Sequence, residues 1–338
     1  MAELTTLGQL LDAAHSQFTV FDLGRRVQHI DNMAFYQIEA LQAPYPYPIQ
    51  GYAQFALVFW DHQQQYFIWF LKLPLDEQGL LNPAARSQFI GMVIDALGQN
   101  LTQSLSDSQQ QAMANHPLSF KPSQEKLAVF NAMVRRQLGQ AASSQYEYAV
   151  QYLSGRVAQD KWQQVGLQGL ADICARLDCA EHHQLILRGL SHAAPQVITA
   201  LCQCLEHSTL DNVLADAVLE RFYSAENHHL RLYLLRALAS CPQQSACALD
   251  WLEQHQLLDQ DALITIAARN WYVLKLEPSR TLYLEALSGQ DQRFFNQVFA
   301  DIVSIPALRP LLLAAIRSPQ RSTQLSTAIG GLFRATRT

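Results

Sequence analysis

The sequence predicts a small α+β domain over residues 1–120, followed over residues 121–338 by an all-α, HEAT-like helical-repeat domain, an α-solenoid. Three observations predict it. Beyond residue 121 apolar residues recur at the helical period. Val197, Ile198, Leu201, Cys202 and Leu205 share one face, Leu230, Tyr233, Leu234, Ala237 and Leu238 a second, and Phe295, Val298, Phe299 and Ile302 a third. Start and stop signals divide that stretch into units of roughly 12 to 18 residues. In the first 120 residues the period falls to two, in a pair of β-prone runs separated by a short polar loop.

The first domain opens with an amphipathic helix over residues 4–15, a strand over 17–23, a short extended segment over 26–30 beyond Gly24, and a helix over 31–41. Pro44-Tyr45-Pro46-Tyr47-Pro48 cannot continue a helix, because proline has no amide to donate and disfavours helical geometry in the residue before it. A spacer is expected there. Strands over 52–60 and 66–73, joined by residues 61–65, form an antiparallel hairpin. Phe55, Leu57 and Phe59 point one way and Ala56, Val58 and Trp60 the other, so the hairpin is covered on both sides or lies inside a small sheet. A helix over 83–101, with Phe89, Met92, Val93 and Leu97 as its inner stripe, supplies one cover.

In the helical part Ser123, Asp211, Asn227 and Asp291 are suited to cap helix N-termini. Pro195 and Pro242 suit a first helical position, and Pro306 ends or kinks what precedes it. Short connections favour antiparallel hairpins laid side by side. Residues 182–190 echo residues 228–238, at an offset close to the roughly 40 to 47 residue period of HEAT and armadillo repeats. An irregular helical bundle would give the same local patterns without repeating geometry.

With 338 residues, 49% of them hydrophobic and 16% charged, the chain has enough apolar side chains for two cores. No apolar run approaches the ~18 residues needed to cross a bilayer, and no basic stretch leads into a hydrophobic one at the N-terminus. A cytoplasmic location and no membrane partner are expected. Cys174, Cys179, Cys202, Cys204, Cys241 and Cys247 lie on or beside apolar faces and read as reduced core thiols. Cys202 and Cys204, with His207 nearby, stand about 200° apart around a helix, which argues against a shared metal. The pairs His182-His183 and His228-His229 sit near helix starts and read as structural or exposed positions. Gly330-Gly331 lacks the further residues of a phosphate loop and reads as a helix break or turn. No nucleophile-elbow, zinc-protease, phosphate-loop or dinucleotide motif occurs, so no catalytic, cofactor or metal-binding residue is expected.

Charge is unevenly spread. Through Glu125 the chain has 5 Lys and Arg against 11 Asp and Glu; from Lys126 it has 19 against 18. After Asp301 come Arg309, Arg317, Arg321, Arg334 and Arg337 with no further acid. Arginine engages carboxylates and phosphates bidentately, so these five are the candidate partner-binding residues. Weaker candidates are Arg25 and Arg26, and the adjacent acids Asp76 and Glu77, for which a turn is the plainer use.

The hairpin followed by Leu75-Asp76-Glu77-Gln78-Gly79-Leu80-Leu81-Asn82-Pro83, and an α+β part preceding a helical part, resemble an uncharacterised gammaproteobacterial family, a domain of unknown function. The resemblance implies no activity, cofactor or site. Three functions are compatible with the residues. The first is a cytoplasmic interaction or scaffold protein with an unidentified protein partner and a homodimer contact among its options. The second is a nucleic-acid binder using Trp251, Trp271 and Arg269, against which the net charge of −5 argues. The third is an enzyme with a site between the domains using Asp76 and Glu77.

Overall fold

The computed structural model of the chain describes residues 4–60, 66–97, 111 and 113–335. It divides into two compact units, the first of Met1–Ser123 with Ser304–Pro306 and the second of Gln124–Val303 with Ala307–Thr338.

In the first unit, Thr6 makes a capping box with Gln9. The Thr6 hydroxyl accepts the Gln9 amide and the Gln9 side chain accepts the Thr6 amide, which starts α1 at Leu7 (Leu7–Ala13) rather than at residue 4. Strands β1 (Gln17–Asp22) and β2 (Gln28–Ile30) follow. Helix α2 (Asn32–Glu39) is capped by Asp31, whose carboxylate accepts the Met33 and Ala34 amides. The hairpin is β3 (Tyr52–Trp60) and β4 (Tyr66–Pro74), and α3 spans Pro83–Leu97; the loop 61–65 and the expected extension of α3 to residue 101 lie outside the described residues. The four strands form one antiparallel sheet in the order β2-β1-β3-β4, so β3 is a central strand. That placement explains why Ala53, Phe55, Ala56, Leu57, Val58 and Phe59 are all buried although they alternate between faces. Phe55, Leu57 and Phe59 join Val20, Trp69, Phe35, Phe89 and Val93 in one core.

The proline-rich stretch does more than separate elements. Tyr45 is fully buried, its amide donates to the Gly79 carbonyl (2.8 Å) and its hydroxyl donates to Asp22 (2.7 Å).

The second unit contains α4 (Gln124–Gln137), α5 (Tyr146–Leu153), α6 (Leu167–Cys174), α7 (Ala180–His192), α8 (Pro195–Leu205), α9 (Asn212–Tyr223), α10 (His228–Ala237), α11 (Pro242–Gln254), α12 (Gln260–Ala268), α13 (Glu277–Ser288), α14 (Gln292–Ser304), α15 (Arg309–Ala315) and α16 (Thr323–Ala335), with 3-10 turns at Gln159–Gln164 and Trp271–Lys275. Every expected apolar stripe faces inward except Tyr233, which is half-buried beneath the Arg236 guanidinium. Asp211 and Asn227 accept the Leu214 and Leu230 amides, Asp291 accepts that of Phe294, and Pro195 and Pro242 open α8 and α11. Packing runs in two series: α4, α6, α8, α10 and α12 each touch the next of that set, and α5, α7, α9, α11 and α13 do likewise.

Two readings from sequence are corrected here. Helix α7 belongs to the second series and α10 to the first, so the echo between residues 182–190 and 228–238 is not a repeat period. Within a series the helices α7, α9 and α11 begin at Ala180, Asn212 and Pro242, a recurrence of about 30 residues, below the 40 to 47 of HEAT repeats. What the two segments share is local. His183 Nε2 lies 3.3 Å from the carboxylate of Asp211, the N-cap of α9, and His228 Nε2 lies 3.1 Å from that of Asp259, the N-cap of α12. Nor do Gly330 and Gly331 break a helix, since both lie inside α16. A β-carbon on Gly331 would stand 2.1 Å from Gln292 Oε1, so this glycine admits the side chain that bonds the Ala328 carbonyl.

Candidate functional site

Arg317 and Arg321 are positioned by the turn between α15 and α16. Ser322 sits in that turn, its hydroxyl accepting the Leu325 amide while its own amide and hydroxyl donate to Glu285 of α13 at 3.1 and 2.5 Å. Arg321 precedes it. Its Nε donates to Ser326 Oγ (2.9 Å) and its Nη1 to the Ile316 carbonyl, closing the end of α15. Between these elements lies an open cleft of about 480 Å³, lined by Ile316, Ile329 and Phe333 on its apolar side, by Arg317, Arg321 and Ser326 on its polar side, and by Gly330. A β-carbon on Gly330 would stand 3.8 Å from Arg334 Nη1, but Arg334 itself does not line the cleft.

The structure thus gathers two of the five expected arginines, Arg317 and Arg321, at the cleft. Arg317 is exposed, with no side-chain partner among the described residues. Arg309 is turned back, its Nε donating to the Val303 carbonyl (3.2 Å), and Arg337 lies outside the described residues. No carboxylate is among the described residues lining the cleft. A second open cleft, about 460 Å³, mixes Arg156 and Arg188 with Glu181 and so has no single charge preference.

Arg25 and Arg26 are not exposed docking residues. Both are buried, Arg25 Nε donates to the Pro48 carbonyl (2.8 Å), and their amides close on the fully buried carboxylate of Asp22, each at 3.3 Å. Asp76 is the pivot of a turn: one carboxylate oxygen accepts the Gln78 and Leu80 amides, each at 2.8 Å, and Gly79 follows with φ +82°. Asp76 is therefore tied to backbone amides, and its exposed neighbour Glu77 shares the turn.

Sequence reasoning missed the strongest charge cluster. Glu206, 2% exposed just beyond α8, accepts from Arg236 Nε of α10 (2.5 Å) and Arg269 Nε after α12 (3.1 Å), and His207 Nε2 stands 3.4 Å away. Burial pushes the Glu206 carboxyl up, but His207 and the two guanidinium groups outweigh it and hold the group below its ordinary range. The lone sequence signal is a Glu-His pair at a helix end, indistinguishable from an exposed one. Its geometry ties α8, α10 and α12 together.

The aromatic residues considered for nucleic acid are engaged as well. Trp271 is buried, Arg269 is held by Glu206, and Trp251 has the Arg231 guanidinium 4.6 Å from its ring centre and His255 stacked at 3.8 Å. Cys174, Cys202, Cys204 and Cys241 are buried, Cys179 is half-buried and Cys247 exposed; burial drives the Cys202 thiol far up its scale, which suppresses the reactive thiolate. Among the described residues no group of three or more His, Cys, Asp or Glu is arranged to hold a metal ion, and no helix is long and apolar enough to cross a membrane.

Comparison with curated proteins and with solved structures finds no match. A family model does match, over residues 2–333, and by that match the chain belongs to the family described as protein of unknown function DUF3549.

Proposed function

We propose that the protein is a non-enzymatic cytoplasmic interaction or scaffold protein whose helical unit is an α-solenoid, and that a protein partner docks on the cleft at its C-terminal end. One observation carries the reading: Arg317 and Arg321 stand side by side on an open cleft that no carboxylate lines among the described residues. Unpaired guanidinium groups around a concavity attract an acidic surface and orient it. The solenoid reading draws on the two series of helices and on their recurrence of about 30 residues, close to the 33 and 34 of other two-helix repeats.

The test is in-cell crosslinking followed by affinity purification of the full chain and of its Arg317→Glu variant, with the recovered protein then assayed against both in purified form. Loss of a direct partner on the variant supports docking at the cleft. Equal recovery and equal affinity on both would overturn it, as would tight binding of duplex DNA whose log affinity falls steeply with log salt and less steeply in the variant.

A further inference from the structure

The cleft also carries information about what enters it. Arg321 is already fixed by its bonds to Ser326 and Ile316, so a ligand meeting its remaining Nη2 donors does not have to order that side chain. Arg317 adds a guanidinium with no protein partner among the described residues, and an arginine pair of this kind calls for an anion. The other wall is apolar. Ile316 and Ile329 on it are largely buried, and Phe333 is 53% exposed. One exposed phenylalanine is ordinary on a protein surface; its place in the same cleft as the arginines is what matters. A free phosphate would use the cationic wall and leave the apolar one wet, and an all-apolar segment would leave the guanidinium groups unmatched.

Resting on the docking reading above, we propose that the cleft receives a short acidic peptide segment of the partner in which a carboxylate lies within two residues of an aromatic or branched aliphatic side chain. The carboxylate bridges Arg317 and Arg321, and the apolar side chain covers Phe333 and Ile329.

The experiment is selection of a displayed library of random heptapeptides on the immobilised full chain, followed by fluorescence anisotropy with the most enriched sequence. Enrichment of an acid beside Phe, Leu or Ile is expected. Replacing that acid by its amide should weaken binding at least tenfold, and so should Arg317→Glu and, independently, Phe333→Ala, each with the parent circular dichroism retained. Three results overturn the proposal: no enrichment or enrichment without an acid, affinity indifferent to both variants, or displacement of the peptide by inorganic phosphate or a single-stranded oligonucleotide at concentrations below its own. If Arg317→Glu releases the native partner while the library yields no acidic motif, docking stands and the peptide chemistry falls. If the partner is retained, docking itself falls.

Discussion

Arginine occupies two opposite situations in the helical unit. At its centre Arg236 and Arg269 close on one nearly buried carboxylate, Glu206, and stitch three helices of the same series. At its end Arg317 and Arg321 line a cleft with no lining carboxylate among the described residues. The residue type is identical, and what faces it decides the role. A buried acid turns the cation into a structural tie; an open apolar-walled cleft leaves it facing no acid among the described residues. Charge counted along the sequence cannot separate these cases, because Glu206 is 30 residues from Arg236 and 63 from Arg269.

The largest expected effect is at the centre. Glu206→Gln leaves two guanidinium groups facing a neutral amide, and breaking a buried pair costs about 3 to 5 kcal/mol. Urea unfolding of the full chain, with amide exchange of α8, α10 and α12, measures it; a loss below about 1 kcal/mol would put the cluster with ordinary exposed pairs and dissolve the contrast. The two buried glutamates sharpen it through pH. The folded Glu206 carboxyl lies below its ordinary 4.5, so its stabilisation is present above that value and lost as acid carries the pH down through the folded pKa. Glu39 has the opposite sign. Burial pushes it up, with the Gly8 and Leu7 amides and Arg86 only partly opposing, so its contribution is lost as pH rises from 4.5 through the folded value. Stability against pH should therefore flatten on the acid side in Glu206→Gln, whereas Glu39→Gln should remove the loss on raising pH above 4.5.

Intermediate effects test the buried contacts away from the arginine ties. Tyr45→Phe deletes one hydroxyl donor to the fully buried Asp22, and a hydrogen bond to a charged group contributes about 1.5 to 3 kcal/mol. Gly169→Ala puts a β-carbon 2.4 Å from the Gln145 carbonyl oxygen, where backbone must yield, and overpacking of this kind costs about 1 to 3 kcal/mol. Gly331→Ala meets the movable end of Gln292 instead and should cost less than Gly169→Ala in the same thermal denaturation series. Equal costs would mean that α14 and α16 are packed as rigidly as α5 and α6.

Elements whose residues bury one face were legible, because burial writes a period into the sequence. The stripe of α8, the caps at Asp211 and Asn227 and the whole of β3 follow from local pattern alone. Long-range partners were not legible. Tyr45 looked like part of a spacer because nothing near it in sequence announces Asp22, 23 residues earlier. Arg25 and Arg26 looked exposed because the loop that buries them is closed by tertiary contacts. Gly331 looked like part of a break because the side chain that needs its space, Gln292, comes from another helix. Of the candidate site, the run of arginines without acids was visible, but the turn that holds Arg317 and Arg321 at the cleft and the bond of Arg309 to Val303 were not.

The smallest stability effect separates the two arginines of the cleft. Arg317 is exposed and its side chain bonds nothing among the described residues, so Arg317→Glu should change folding stability by less than ~0.5 kcal/mol. Arg321 closes the end of α15 through Ile316 and braces Ser326, so Arg321→Glu removes two hydrogen bonds and should cost about 1 to 3 kcal/mol. Charge reversal at both positions together would therefore confuse docking with local unfolding, and the single Arg317 variant isolates docking. Paired thermal denaturation of the two variants checks this. If Arg317→Glu destabilises as much as Arg321→Glu, Arg317 is a structural tie like Arg236, and the end of the unit loses its contrast with the centre.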